Sequence, residues 1–126
     1  MPNAALTPGA VLTTDATIVC KSGYASSVRD VPTSERRSVF VAYGLAYPPP
    51  SGAYEVDHLI SLELGGSNTI ENLWPEPYKD PNGAHLKDRL ENYLHEQVCT
   101  GKLDLLKAQH QIATNWYQAW VDAGRP

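Results

Sequence analysis

An acidic residue and a histidine stand side by side in this 126-residue chain, at Asp57 and His58. Gly65-Gly66 follows seven residues after His58, Asn72 follows fourteen residues after it, and His85 comes thirteen residues after Asn72. A neutral histidine can take a proton from water near neutral pH, because its unperturbed pKa is about 6.5. Carboxylates and imidazoles are also common ligands of divalent cations. These residue types therefore indicate metal-assisted hydrolysis.

The segment Glu55–Pro77, which reads EVDHLISLELGGSNTIENLWPEP, resembles the core of HNH (ββα-metal, His-Me finger) endonucleases. The resemblance covers about residues 55–91, and the stretch from the Gly-Gly pair to Asn-Leu-Trp-Pro is its most specific part. Residues 37–44 and 87–116 are similar to a small group of exported bacterial HNH-like proteins. The chain departs from the family pattern in its last histidine, which stands farther from the asparagine than usual and has no Cys pair beside it.

The resemblance implies a metal-dependent endonuclease that hydrolyses DNA, or also RNA, with little sequence specificity. His58 would be the general base that activates water, and Asn72 would bridge the loop and hold His58 in place. Asp57 and His85 would hold one divalent metal ion, for which Mg²⁺, Mn²⁺, Zn²⁺ and Ni²⁺ are all open. That cation would stabilise the charge on the phosphate and on the leaving oxygen.

The distribution of charge favours an alternative to the nuclease function. The net charge is −4, with four Lys/Arg against three Asp/Glu in residues 1–50 and six against eleven in residues 51–126. This balance disfavours tight, non-specific nucleic-acid binding, which relies on basic side chains. Lys87 and Arg89 are candidates for phosphate contact, and the alternative for both is a solvated helix face or ion pairs with Glu91 and nearby acids. The alternative is a catalytically inactive HNH-like scaffold that acts as a secreted or periplasmic binding protein.

The elements around these residues are predicted to run strand, loop, strand, helix. Residues 54–64 alternate as a strand does, and residues 65–68 are typical of a turn. A second short strand begins at residues 72–74 and closes at the prolines of the Pro-Glu-Pro run. Residues 80–83 (DPNG) predict another turn. Residues 84–98 are predicted to form a helix, because apolar side chains recur there at every fourth position.

The flanking segments complete an α+β domain. Residues 1–15 are expected to be extended or frayed, and the β-branched run of residues 16–21 predicts a short strand. A helix is predicted from Thr33 or Ser34, as N-cap, to Gly44, and a last helix starts near Asp104. The predicted fold is one domain over residues 1–126. It has an HNH-like core at about 54–98, an N-terminal strand and helix, and two C-terminal helices.

Cys20 and Cys99 are 79 positions apart and form no CxxC motif. They are either two buried thiols or one disulfide, and a disulfide would indicate a secreted or periplasmic protein. The first residues show no signal-peptide pattern, and no stretch approaches the roughly 20 apolar residues of a membrane helix. We therefore expect a monomer that binds nucleic acid and no membrane. An immunity or inhibitor protein is a further possible partner.

Overall fold

The computed structural model describes residues 1–79 and 83–126, which contain five α-helices and a two-stranded antiparallel sheet. This mixture confirms the α+β class. The predicted turn at 80–83 lies outside the described residues except for its last position. Two 3₁₀ turns cover Leu62–Leu64 and Ile70–Asn72. The helices and strands are α1 (Ala16–Val19), α2 (Tyr24–Val28), α3 (Thr33–Ala42), β1 (Tyr54–His58), β2 (Leu73–Pro77), α4 (Ala84–Cys99) and α5 (Leu105–Asp122).

Strands β1 and β2 form a hairpin in which Glu55 faces Glu76 and Asp57 faces Trp74. The prediction that β1 continues to residue 64 is wrong, because the chain turns after His58 and packs its next apolar residues into the core. The prediction that Pro75 helps to close β2 is also wrong. That strand runs through it to Pro77, which is possible because β2 is an edge strand where a missing N–H costs little.

The N-terminal third contains helices where a strand was expected. Residues 16–21 were predicted as a strand, but α1 begins at Ala16. The Asp15 side chain caps it by accepting hydrogen bonds from the N–H and the hydroxyl of Thr17, at 2.9 and 2.7 Å. This cap outweighs the weak β preference of a short β-branched run. Helix α3 was predicted correctly, but its N-cap is Pro32 instead of Thr33 or Ser34.

Helices α4 and α5 match the predicted positions and supply most of the core. α5 bends at Asn115, whose φ and ψ of −160° and 89° leave the helical region. The main apolar cluster combines side chains from both helices with β2 and the segment after β1, including Leu59, Trp74, Leu90, Leu94, Ile112 and Trp116. Of the two possibilities for the cysteines, the disulfide is confirmed: Cys20–Cys99 joins the end of α1 to the end of α4.

An N-terminal arm, residues 7–13, lies across the loop that links the two strands. Its backbone bonds to that loop at four points: Gly9 N–H to Glu71 O (2.9 Å), Leu12 and Thr13 N–H to Gly65 O (2.7 and 3.3 Å), and Ser67 N–H to Ala10 O (2.9 Å). The arm is therefore not frayed but is held in place along its length. No helix in residues 1–79 or 83–126 combines the length and apolarity that a membrane crossing requires.

Candidate functional site

His58 ends strand β1 with its side chain buried, at 5% exposure. Its Nε2 lies 3.0 Å from the Oδ1 of Asn68. The orientation of Asn68 is set independently, because its Nδ2 donates to the carbonyl of Val28 at 2.7 Å and its Oδ1 accepts the N–H of Asp30 at 3.2 Å. An amide oxygen can only accept, so His58 must carry its proton on Nε2. Nδ1 is then the basic nitrogen.

The surroundings of His58 favour the neutral imidazole. Burial lowers its pKa below the ordinary 6.5, and the positive charges of Arg29 and Lys87 act in the same direction. The hydrogen bond that His58 donates to Asn68 and the Asp57 carboxylate act against this shift but do not cancel it. The ring is therefore neutral at pH 7, as a general base has to be.

A polar cavity of about 240 Å³ lies beside His58. Its acidic side chains come from two elements, with Glu55 and Asp57 on β1 and Asp88 and Glu91 on α4. Arg29 is the basic side chain in this lining, and Val56, Ser61 and Leu62 complete it together with His58. A larger cavity of about 410 Å³ lies between α4 and α5 and contains none of the predicted site residues. Of the predicted site residues, Asp57 and His58 line the smaller cavity.

The loop after His58 is closed by Asn72, which is fully buried. Its Oδ1 accepts the N–H of Ile60 at 3.0 Å, and its Nδ2 donates to the carbonyls of Ile60 and Ser67 at 2.9 and 2.8 Å. Gly66 has to be glycine here, because a Cβ on it would lie 1.7 Å from the Ile60 carbonyl oxygen. Asn72 thus bridges the loop two residues beyond His58, and among the described residues its side chain makes no hydrogen bond to His58.

Of the alternatives for Lys87, the ion pair with Glu91 is confirmed. A solvated helix face or a phosphate contact requires exposure, whereas its side chain is 0% exposed. Its ammonium donates to the His58 carbonyl at 2.7 Å and to Glu91, and it lies 2.8 Å from Asp57 Oδ2. Burial alone would lower the pKa of Lys87, but the Asp57 and Glu91 carboxylates more than offset it and raise the pKa. The predicted phosphate contact is therefore wrong for Lys87, because its ammonium is enclosed by protein partners.

Glu76 was not recognised as a site residue from the sequence. It is 1% exposed, and neither carboxylate oxygen has a hydrogen-bond partner in residues 1–79 and 83–126. One of its oxygens lies within 4.8 Å of oxygens from both Glu55 and Asp57. Burial, and then the nearby Asp57 charge, raises the pKa of Glu76 far above its usual range. The signal was present in the hairpin register, which places Glu76 opposite Glu55.

The remaining predicted residues stay outside this cluster. His85 is exposed and lies against Tyr78, with ring centroids 6.0 Å apart, and it is not in the lining of the cavity. Arg89 is exposed one position beyond Asp88. An Asp57–His85 metal pair therefore stays a prediction. Cys20, Cys99 and His95 also lie close together, but both sulfurs are used in the disulfide.

Comparison of the chain with protein-family models, curated proteins and solved structures finds no match. Any assignment of chemistry therefore rests on the residues and their geometry.

The arrangement combines a neutral base with a surplus of carboxylates. His58 can accept a proton from a water in the cavity, and the carboxylates can bind a cation. The carboxylates also repel a phosphate, because Arg29 in the lining and the buried Lys87 beside it supply only two positive charges against four acids. Chemistry on a phosphodiester at this site therefore needs a bound cation.

Proposed function

We propose that this chain hydrolyses phosphodiester bonds of nucleic acid, with His58 as general base and a divalent cation held at Asp57. One observation carries the proposal: the fixed Asn68 amide puts the proton of His58 on Nε2 and leaves Nδ1 basic. His58 also lines the acidic cavity, a position that a histidine serving only to stabilise the core does not need. The order β1, β2, α4 around this residue supports a ββα-metal core.

In this mechanism each residue has one task. His58 takes the proton from the attacking water, while Asn68 holds the imidazole in the productive tautomer and orientation. Asn72 keeps the loop closed and so fixes the end of β1. Arg29, the basic residue of the cavity lining, replaces Lys87 as the candidate phosphate contact. A cation bound at Asp57 would neutralise charge on the phosphate and the leaving oxygen.

The disulfide supports a location outside the reducing cytoplasm, and we place the protein in the periplasm or outside the cell. DNA is the proposed substrate, and RNA is its alternative. A nuclease of this kind endangers the cell that makes it, which is why an immunity or inhibitor protein remains part of the proposal. We propose that the nuclease acts as a monomer.

Cleavage of supercoiled plasmid and of single-stranded RNA tests the proposal. The protein is incubated with Mg²⁺, Mn²⁺, Zn²⁺ or Ni²⁺, and with a chelator as the metal-free control. His58→Ala should lower the rate by at least roughly 100-fold, the usual contribution of a general base. His110→Ala, which removes an exposed histidine on α5, should leave it unchanged. No cleavage under any metal, or equal cleavage by wild type and His58→Ala, rejects the nuclease.

The second candidate is a binding protein on the same scaffold, and Lys87 is the observation that favours it. Its ammonium already gives Asp57 a positive partner without any metal. In a catalytically inactive protein, the Lys87–Asp57 ion pair would stabilise the Asp57 carboxylate, and no metal ion would be required. Absence of cleavage together with an intact fold would favour this reading.

A further inference from the structure

Three carboxylates converge on one face of the hairpin. Glu55 and Asp57 are two residues apart on β1, and Glu76 is the cross-strand partner of Glu55 on β2. Residues two apart, and residues directly opposite each other, project to the same side of a sheet. Accordingly, one oxygen from each of the three lies within 4.8 Å of the other two.

The positive charge near this face is insufficient for the three acids. Lys87 contacts Asp57 and Glu91. In residues 1–79 and 83–126, no Lys, Arg or His lies within 4.0 Å of a Glu55 or Glu76 carboxylate oxygen. Both buried Glu76 oxygens lack a hydrogen-bond partner there, so the ionised form of Glu76 has neither a cation nor a donor to balance its charge. Buried charges of this kind are usually paired or bound to a metal.

We propose that Glu55, Asp57 and Glu76 form a binding site for a hard divalent cation: Mg²⁺, Mn²⁺ or Ca²⁺. All three donors are carboxylate oxygens, which suit these ions better than Zn²⁺ or Ni²⁺. Glu55 and Asp57 line the cavity beside His58, so an ion can reach the site from there. Glu76 lies behind them and closes the site from the interior.

This site takes the place of the Asp57–His85 pair expected from the HNH resemblance. Asp57 contributes to both, but the other ligands come from the two strands and not from the start of α4. Lys87 binds one oxygen of Asp57 and so holds that carboxylate in position. Use of the cation in hydrolysis rests on the proposed function, whereas its binding is measured without any substrate.

Thermal unfolding of the metal-free protein, titrated separately with MgCl₂, MnCl₂, CaCl₂ and ZnCl₂, tests the site. A hard cation at a hundred times its dissociation constant should raise the melting temperature of wild type by roughly 10 °C. Glu76→Gln should weaken the apparent affinity at least roughly tenfold, the lower end of the loss seen for supporting contacts of a metal. Glu55→Gln, at a half-buried position, should do the same.

Two control variants separate this site from its alternatives. Glu96→Gln removes an exposed carboxylate of α4 and should keep the wild-type affinity. His85→Ala should also keep it. The proposal is overturned if no hard cation shifts wild type, if Glu76→Gln and Glu55→Gln bind as well as wild type, or if His85→Ala abolishes binding. Circular dichroism of each variant confirms that it is folded before the titration.

Failure of the proposed cation site can be distinguished from failure of the proposed nuclease activity. If the cation binds through Glu76 but nucleic acid is never cleaved, the site stands and the nuclease fails. If cleavage depends on His58 but cation affinity is independent of Glu76 and Glu55, the nuclease stands and the site fails.

Discussion

Replacing Glu76 with glutamine should stabilise the metal-free protein at neutral pH. Burial, followed by the Asp57 charge, raises the pKa of Glu76 from 4.5 to about 9. At pH 7 the folded protein must therefore bind a proton that the unfolded chain has already released. The 2.5 pH units between 4.5 and 7, at 1.36 kcal/mol each, make this cost about 3 kcal/mol. Glutamine has the same shape and carries no charge.

The pH dependence of this effect follows from the direction of the shift. A carboxyl group whose pKa is raised on folding contributes its stability fully below its unfolded pKa. The contribution is lost as the pH rises through the folded value. The advantage of Glu76→Gln should thus be under about 1 kcal/mol at pH 5, reach about 3 kcal/mol at pH 7 and increase further at pH 8.

Urea unfolding in a chelating buffer, followed by tryptophan fluorescence at pH 5, 7 and 8, measures the difference. At pH 7 the midpoint of Glu76→Gln should exceed that of wild type by on the order of 1 M or more. Glu96→Gln, at an exposed site on α4, should stay within about 0.5 kcal/mol of wild type at each pH. The reasoning is refuted if Glu76→Gln is no more stable at pH 8, or if its advantage is the same at every pH.

Three further changes test other parts of the structure. Gly66→Ala places a Cβ 1.7 Å from a carbonyl oxygen and should lower the free energy of unfolding by about 3 kcal/mol or more, measured by thermal unfolding. Gly101→Ala, which has open space around it, should lower it by only about 1–2 kcal/mol, because of the positive φ of this residue. Equal losses in the two variants would contradict this prediction. Asn68→Ala removes the acceptor of His58 Nε2, so ¹⁵N NMR should show one tautomer in wild type and a mixture in the variant; a mixture in both would exclude the assigned proton position. Reduction of the disulfide, which spans 79 positions, should lower the free energy of unfolding by about 4 kcal/mol, and identical urea curves with and without a thiol reductant would contradict that estimate.

Periodic apolar patterns were the most reliable guide to the fold. Both ends of α4 and the start of α5 were predicted to within a residue or so, because a long stripe of buried side chains has few alternative explanations. Short segments were harder, since a single cap can decide them. Asp15 turned a β-branched run into α1, and apolar residues after His58 were buried by a loop and not by a longer strand.

The candidate site was predictable only where its residues are close in the chain. Asp57, His58 and Asn72 stand out by type and spacing, and they do lie around one loop. Lys87 could not be placed in the same way, because charged residues on a helix are normally solvated. Its burial depends on Asp57, which comes from a strand thirty positions earlier. Glu76 is a similar case, since only the pairing of the strands brings it to Glu55.

The N-terminal arm determines whether the motif can be separated from the rest of the chain. The loop that follows His58 leaves several backbone groups without partners of its own. Residues 9–13 supply those partners from one side, and the Gln109 amide donates to the carbonyls of Thr13 and Leu64 at 2.9 and 2.8 Å from the other. A peptide restricted to residues 54–98 would lose both sets of bonds. Residues 54–98 therefore cannot be transferred alone, and grafting them onto another scaffold requires the N-terminal arm and α5 as well.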